Sequence, residues 1–283
     1  FFKQKTAYEM LRSLVGSEMC IRDRVVGDEA RKVFNDAQRM LDHIIKENWL
    51  EARGVIGFFP ANSIDDDDIA IYEDDNRTEV KTVLHHIRQQ ISKNKVKPNL
   101  CLADFISPKE TGLADYIGAF AVTAGIGIEK HVARFKQEYD DYNSILLKAL
   151  ADRLAEAFAE HMHKEVRQTF WGYAPNETFT NADLIKEAYR GIRPAPGYPA
   201  CPDHTEKATL WKLIEPDKHA DIRLTESFAM FPAAAVSGWY FSHPEGQYFG
   251  TGKIEKDQLE DYAKRKGMTV AEAERWLAPI LGY

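Results

Sequence analysis

The stretch Arg193-Pro-Ala-Pro-Gly-Tyr-Pro-Ala-Cys-Pro-Asp-His-Thr-Glu-Lys207 places four prolines, Pro194, Pro196, Pro199 and Pro202, within nine residues. Each proline fixes its own φ and biases the residue before it to extended geometry. The segment is therefore a stiff extended loop, expected in neither a helix nor a strand ladder. Gly197 is its one position free to take φ > 0 and turn the chain. The prolines delete four backbone donors and keep every carbonyl, so the loop is rich in acceptors and suits a cation better than a phosphate. Arg193 adds a planar fork that matches a carboxylate. Tyr198 adds an aromatic face and a hydroxyl. A ligand carrying both a carboxylate and a cationic centre fits this set. A rigid connector between two domains has the same composition.

Outward from the loop, the flanks read as follows. Upstream, Thr180-Asn-Ala-Asp183 caps a helix running to Arg190. Downstream, Asp203-His-Thr-Glu206 has the capping-box pattern of a helix to about Ile214, which assigns His204 and Glu206 a structural role and no catalysis. Phe228–Pro244 and Gln247–Ile254 read as a β-hairpin turning at Pro244–Gly246. Thr269-Val-Ala-Glu272 caps a last short helix that Pro279 ends.

In the first half, Glu29–Glu47 has helical apolar spacing at Val33, Ala37, Met40, Leu41 and Ile44. Arg53–Ala61 reads as a buried strand. The acidic run Asp65–Asp68 lacks the spaced ligands of a calcium loop and reads as a solvated turn before a strand at Ile69–Tyr72. Thr78–Lys93 reads as a helix on which His85 and His86, being adjacent, diverge and make a poor ligand pair. Leu100–Phe105 and Asp115–Thr123 read as strands, with a turn at Pro108 and Gly112 between them, and Gly125–Tyr139 becomes a charged helix. Asp140–Phe170 is the longest helical pattern, with Leu146, Leu150, Leu154, Phe158 and Met162 as its packing stripe. Asp152 and Glu156 share another of its faces with Ile145 and Ala149; they either face solvent or face a cation such as an arginine or a ligand ammonium. His161 and His163, two apart, share no face and make no metal pair.

The chain has 283 residues, 44% hydrophobic and 29% charged, and a net charge of −7. No apolar run is long enough to span a bilayer. The acidic balance argues against nucleic acid as a partner. Cys20, Cys101 and Cys201 are scattered, without a Cys-x-x-Cys pair, which reads as a reducing cytoplasm rather than a zinc or redox site. Helices and strands alternate irregularly and no Gly-x-Gly-x-x-Gly follows a strand. The expected fold class is α+β: a single domain with a twisted, mainly antiparallel β-sheet flanked by helices.

Arg193–Pro202 resembles the signature of the C-terminal reactivation domain of cobalamin-dependent methionine synthase. Gly54–Asn62, Asp115–Thr123, Ala149–Glu160, Thr225–Met230, Val236–Pro244 and Glu274–Tyr283 are similar to stretches of the same domain. The resemblance runs from about Val25 to Tyr283. Phe1–Arg24 is expected to be a non-native leader similar to translated adapter DNA, and the chain a fragment of a larger enzyme whose cobalamin-binding domain lies upstream.

The resemblance implies a methyltransferase fragment that binds S-adenosylmethionine and supports reductive remethylation of inactive cob(II)alamin in methionine biosynthesis. Its implied partners are the cobalamin-binding domain of the same enzyme, which holds most of the cobalamin, and a flavodoxin-type reductase; neither membrane nor nucleic acid is implied. The implied cofactor site contains Arg193 on the carboxylate, the backbone of Ala195, the carbonyls of Pro194–Gly197, and the aromatic residues Tyr198 and Tyr248. Glu156 and Glu187 lie close by. Phe249 stands where a second tyrosine is frequent. The family also uses an aspartate upstream of Val25, and no motif makes Asp23 its substitute. Two other classes remain: a free-standing methyltransferase, against which the missing glycine-rich loop counts, and a docking module for the electron donor without competent cofactor binding.

Overall fold

The computed structural model describes residues 24–93, 97–180, 183–184 and 186–283. The expected leader, Phe1–Arg24, lies outside these residues except for Arg24. The elements in order are α1 (Arg24–Lys46), β1 (Glu51–Ile64), β2 (Asp68–Tyr72), β3 (Val80–His85), β4 (Asp115–Ile126), α2 (Ile128–Gln137) and α3 (Asp141–Glu165). After them come α4 (Glu206–Ile214), α5 (Pro216–His219), β5 (Arg223–Leu224), β6 (Met230–Phe231), β7 (Ala235–Tyr240), α6 (Lys256–Lys266) and α7 (Val270–Leu277). Five strands form an antiparallel sheet in the order β3-β2-β1-β4-β7, and β5 and β6 pair separately. The fold is α+β, as expected. No helix among the described residues is long and apolar enough to cross a membrane.

The chain divides into two compact units: Phe1–Val55 with Ala121–Tyr189 and Pro216–Val236, and Ile56–Phe120 with Arg190–Glu215 and Ser237–Tyr283. The first is built on helices. Ala37, Met40, Leu41 and Ile44 recur at helical spacing on α1 and are buried with Trp49, Phe135 and one face of α3. That α3 face is Leu147, Leu150, Ala151, Leu154 and Ala155, so Leu150 and Leu154 of the expected stripe are buried, while Leu146 and Phe158 are only half-buried. The Asp140 carboxylate caps α3 by accepting from Asn143 N–H at 2.9 Å. The helix ends in a π-turn at Val166–Phe170. This turn carries the fully buried Arg167, paired with Glu177 at 2.7 Å and lying 4.1 Å from the Tyr189 ring centre. The helix expected to reach Arg190 does not do so, because Glu187 takes φ 53° and turns the chain.

In the second unit, Asp65 and Asp66 take φ 48° and 64° to turn β1 into β2, with Ala61 opposite Ile71 and Ser63 opposite Ile69. The acidic run is only partly solvated, since Asp68 is buried and accepts from His85 Nδ1 at 2.9 Å and from Arg265. The helix expected over Thr78–Lys93 is instead β3 followed by extended chain. The β-branched Val80, Thr82 and Val83 favour the pleat. Beyond them, Gln89 and Gln90 N–H donate across the fold to Leu100 and Thr251 carbonyls at 2.8 and 2.6 Å rather than along a helix. The strand expected at Leu100–Phe105 is a 3₁₀ turn over Leu102–Phe105. Its cause is Asp104, whose carboxylate accepts from Cys101 N–H at 2.8 Å and is gripped by the Arg88 fork through two bonds of 2.9 Å. The hairpin expected between Phe228–Pro244 and Gln247–Ile254 does not form: its first arm supplies β6 and β7, and Gln247–Lys253 forms no strand.

A buried charge cluster fixes the end of this unit. Asp203 accepts from Thr205 N–H (2.8 Å), Thr205 Oγ1 (2.7 Å), Tyr262 Oη (2.6 Å) and Lys266 Nζ (2.7 Å). Glu206, 1% exposed, accepts from the same ammonium at 2.5 Å. The expected capping box is thus replaced by an ion cluster reaching α6. Burial opposes ionised Asp203, but Lys266 and the hydroxyls overcome it and hold its carboxyl below the usual range. At Glu206 burial prevails and the carboxyl is pushed up. Lys266→Met would strand two buried carboxylates and is expected to cost about 3–5 kcal/mol in urea unfolding at pH 7; a loss near zero would show that water relieves the cluster. Because the Asp203 proton is held less tightly folded than unfolded, its stabilisation is complete above the ordinary carboxylate range and drains away as pH falls through the lowered value. Asp203→Asn should therefore shallow the acid side of a thermal-unfolding-against-pH curve.

Candidate cofactor site

The proline-rich loop does enter a ladder at its start. Ile192 and Phe241 exchange two backbone hydrogen bonds of 3.0 Å, and Trp239 N–H donates to the Pro194 carbonyl at 2.9 Å. The loop thereby lies along β7. Gly238 makes this possible, since a Cβ there would stand 2.5 Å from the Pro194 oxygen. Arg193 sits between the two anchored residues, and its N–H donates to Tyr248 Oη at 3.0 Å.

Beyond Pro194 the loop closes on itself. Tyr198 N–H donates to Ala195 O at 3.2 Å, Gly197 N–H to Cys201 O at 2.7 Å, and Cys201 N–H to Tyr198 O at 2.9 Å. Gly197 takes φ 92°, as the loop's turning point. The acceptor-rich face is therefore narrower than expected: the carbonyls of Pro194 and Ala195 already accept backbone N–H groups, leaving each a second lone pair. Thr251 N–H donates to Pro199 O at 3.0 Å and Gln89 Nε2 donates to Gly250 O at 2.9 Å. These two bonds pin the segment carrying Tyr248 and Phe249. The Phe249 ring packs 6.5 Å from that of Phe105.

Of the residues singled out by sequence, Arg193 and Tyr248 are joined directly, and Ala195, Gly197, Tyr198 and Phe249 belong to the same unit. Tyr198 is 63% exposed, its ring free for a ligand face. Glu156, half-buried on α3, and the exposed Glu187 belong to the first unit. Sequence reasoning missed Gly238, although a glycine inside an apolar strand signals a close backbone approach. It also missed His204, whose ring packs against Gly197. Among the described residues no group of histidines, cysteines or carboxylates is arranged to hold a metal ion. Cys101 and Cys201 are free and buried, and burial pushes both thiols up, so neither is a nucleophile at neutral pH.

Gly238→Ala would drive a methyl group into the Pro194 carbonyl. It is expected to cost about 1–3 kcal/mol, the range for overpacking a tight site, read as a lowered midpoint in thermal unfolding. An unchanged midpoint would mean that the loop does not depend on β7.

The sequence model of the family described as "Vitamin B12 dependent methionine synthase, activation domain" matches residues 4–267, so the match begins ahead of Val25. A crystal structure described as the MetH reactivation domain bound to AdoHcy is 58% identical, with a TM-score of 0.90 over 98% of this chain and 85% of that one. Sequence and fold thus agree across nearly the full length, and the chain belongs to the family of vitamin B12-dependent methionine synthase activation domains.

Proposed function

We propose that this chain binds S-adenosylmethionine and presents its methyl group for the reductive remethylation of oxidised cobalamin, the repair step of methionine synthase. The observation that carries this reading is the clamped Arg193, held on one side by the pairing of Ile192 with Phe241, just past β7, on the other by the bond from Trp239 of β7 to Pro194, and joined through its N–H to Tyr248. The 58% identical reactivation domain holds AdoHcy, the demethylated form of the same ligand.

The donor set fits the ligand. The Arg193 guanidinium matches the carboxylate of the methionine part. The backbone of Ala195 and Gly197 offers polar groups at van der Waals approach, and Tyr198, Tyr248 and Phe249 offer ring faces. Cobalamin, held by the neighbouring domain of the same enzyme, supplies the methyl-accepting metal. The methyl group leaves with the C–S bonding pair remaining on sulfur, so a sulfonium becomes a neutral thioether. Cob(II)alamin lacks one electron to act as acceptor of a methyl cation, and a flavodoxin-type partner would supply that electron before the transfer. No proton moves, and the protein's share is orientation of the C–S bond.

Calorimetric titration of S-adenosylmethionine into this chain is expected to show binding, and Arg193→Ala is expected to weaken it by about 1.5–3 kcal/mol, the range for a hydrogen bond to a charged group. Absence of binding would favour a docking module for the electron donor. Without the cobalamin domain the chain is expected to form no methylated product; such a product would overturn the repair reading in favour of a free-standing methyltransferase.

A further inference from the structure

We propose that His204 is a positioning residue of the cofactor loop: its neutral ring is wedged against Gly197, and taking up a proton releases the turn, so S-adenosylmethionine binding has an acid limit set by this side chain. The inference rests on the cofactor reading above and adds a control to that site.

The geometry is specific. A Cβ on Gly197 would lie 2.2 Å from His204 Cε1, 2.4 Å from Nδ1 and 2.8 Å from Nε2. The tip of the imidazole therefore fills the space that a side chain on residue 197 would need. Gly197 is itself the pivot of the loop, with φ 92° and its N–H bonded to Cys201 O at 2.7 Å. Tyr198, next in the chain, pairs with Cys201. Displacing the ring thus loosens the turn that aims Tyr198 and spaces it from Arg193.

The Nδ1 edge of the ring, which faces Gly197, also meets Lys207. Lys207 Nζ lies 3.4 Å from His204 Nδ1, and Lys207 is only 8% exposed. A neutral imidazole presents the Nδ1 lone pair to this ammonium and keeps its proton on Nε2. A protonated imidazole would put two cations face to face in a half-buried place. The charged neighbours of His204 are Lys207 and Asp203, which act in opposite senses. Asp203 offers little relief, since its two oxygens already serve Thr205, Tyr262 and Lys266. Burial first, and Lys207 second, hold the imidazole below its ordinary range. A folded-state value that is lowered favours the neutral form, so the wedge is intact at neutral pH and is lost as pH falls through that value. The ring is not needed as a helix cap, because Asp203 already accepts the Thr205 N–H and hydroxyl at the start of α4.

The test has two arms on the whole chain. In the first, S-adenosylmethionine is titrated calorimetrically between pH 7 and pH 5, a window in which the ligand's own carboxyl and amino groups, with ordinary values of about 3.5 and 7.8, scarcely change charge. The parent is expected to lose affinity by about tenfold per pH unit below the His204 midpoint. His204→Phe keeps a planar wedge that takes up no proton, and should bind with no acid limb. Lys207→Met removes the opposing cation and should move the limb to higher pH. In the second arm, without ligand, the Gly197 amide and the His204 ring are followed by NMR across the same range and should titrate together. An acid limb that persists in His204→Phe, a limb unmoved in Lys207→Met, or a Gly197 amide indifferent to the His204 titration would each overturn the proposal. If the parent fails to bind at pH 7 the cofactor reading falls, and the NMR arm still decides whether His204 holds the loop.

Discussion

The hydrogen bond from Trp239 N–H to the Pro194 carbonyl, made over a glycine without a Cβ, is the constraint on which the site depends. Proline has a carbonyl to offer a ladder and no N–H to continue it. Ile192 therefore pairs fully with Phe241, Pro194 accepts one bond, and the ladder stops there. Between them Arg193 has its N–H turned from β7 to the Tyr248 hydroxyl, as strand alternation demands. The same pairing occupies the end of β7 at Trp239 and the residue beyond it, Phe241. It also explains why Gln247–Lys253 does not complete a hairpin with β7: the edge that such a hairpin would use is already occupied.

Below the loop, stability and rigidity have been traded in an unusual currency. Asp203 and Glu206 share the Lys266 ammonium, and Asp68 binds Arg265 and His85. Well-packed apolar residues would hold these elements together at lower desolvation cost. An ion cluster does something that apolar packing does less well: it accepts one geometry and penalises neighbours of it, because a displaced partner leaves an unpaired buried charge. Asp203 follows the last loop proline directly, so its four hydrogen bonds fix where the loop ends. A ligand meeting such a loop pays little to order it.

Much of the fold was legible where local chemistry and tertiary context agree. The helical spacing of Ala37, Met40, Leu41 and Ile44, the Thr269 cap and the turning role of Gly197 each rest on properties of a few neighbouring residues, and each is found in the structure. The failures share a cause. Val80–His85, expected as helix, is a strand because its β-branched residues pair in antiparallel register with β2. Asp104 folds Leu102–Phe105 into a turn only because Arg88, 16 residues away, grips its carboxylate. Asp203 and Glu206 fit a capping box by spacing, but Lys266 on α6 claims both carboxylates. Within the candidate site the turn at Gly197 was legible from proline and glycine, and Gly238 carried the local signal of a glycine in an apolar strand, whereas the packing of His204 against Gly197 is a contact that no local pattern announces.

The chemistry explains why such a site is built from anchors rather than from acids and bases. Under the proposed function the transferred methyl group carries no proton to be removed, and the leaving sulfur gains a lone pair without needing a donor. A general base would have nothing to do. The task left to the protein would be alignment of the C–S bond with its acceptor, and alignment is the property that a clamped arginine, a closed double turn and a wedged glycine can supply. The polar groups nearest the loop are accordingly committed to one another. His204 is the exception in kind: its ring lies against Gly197 itself, and burial and Lys207 hold its imidazole below the ordinary range, so under the inference above its protonation is felt directly by the loop.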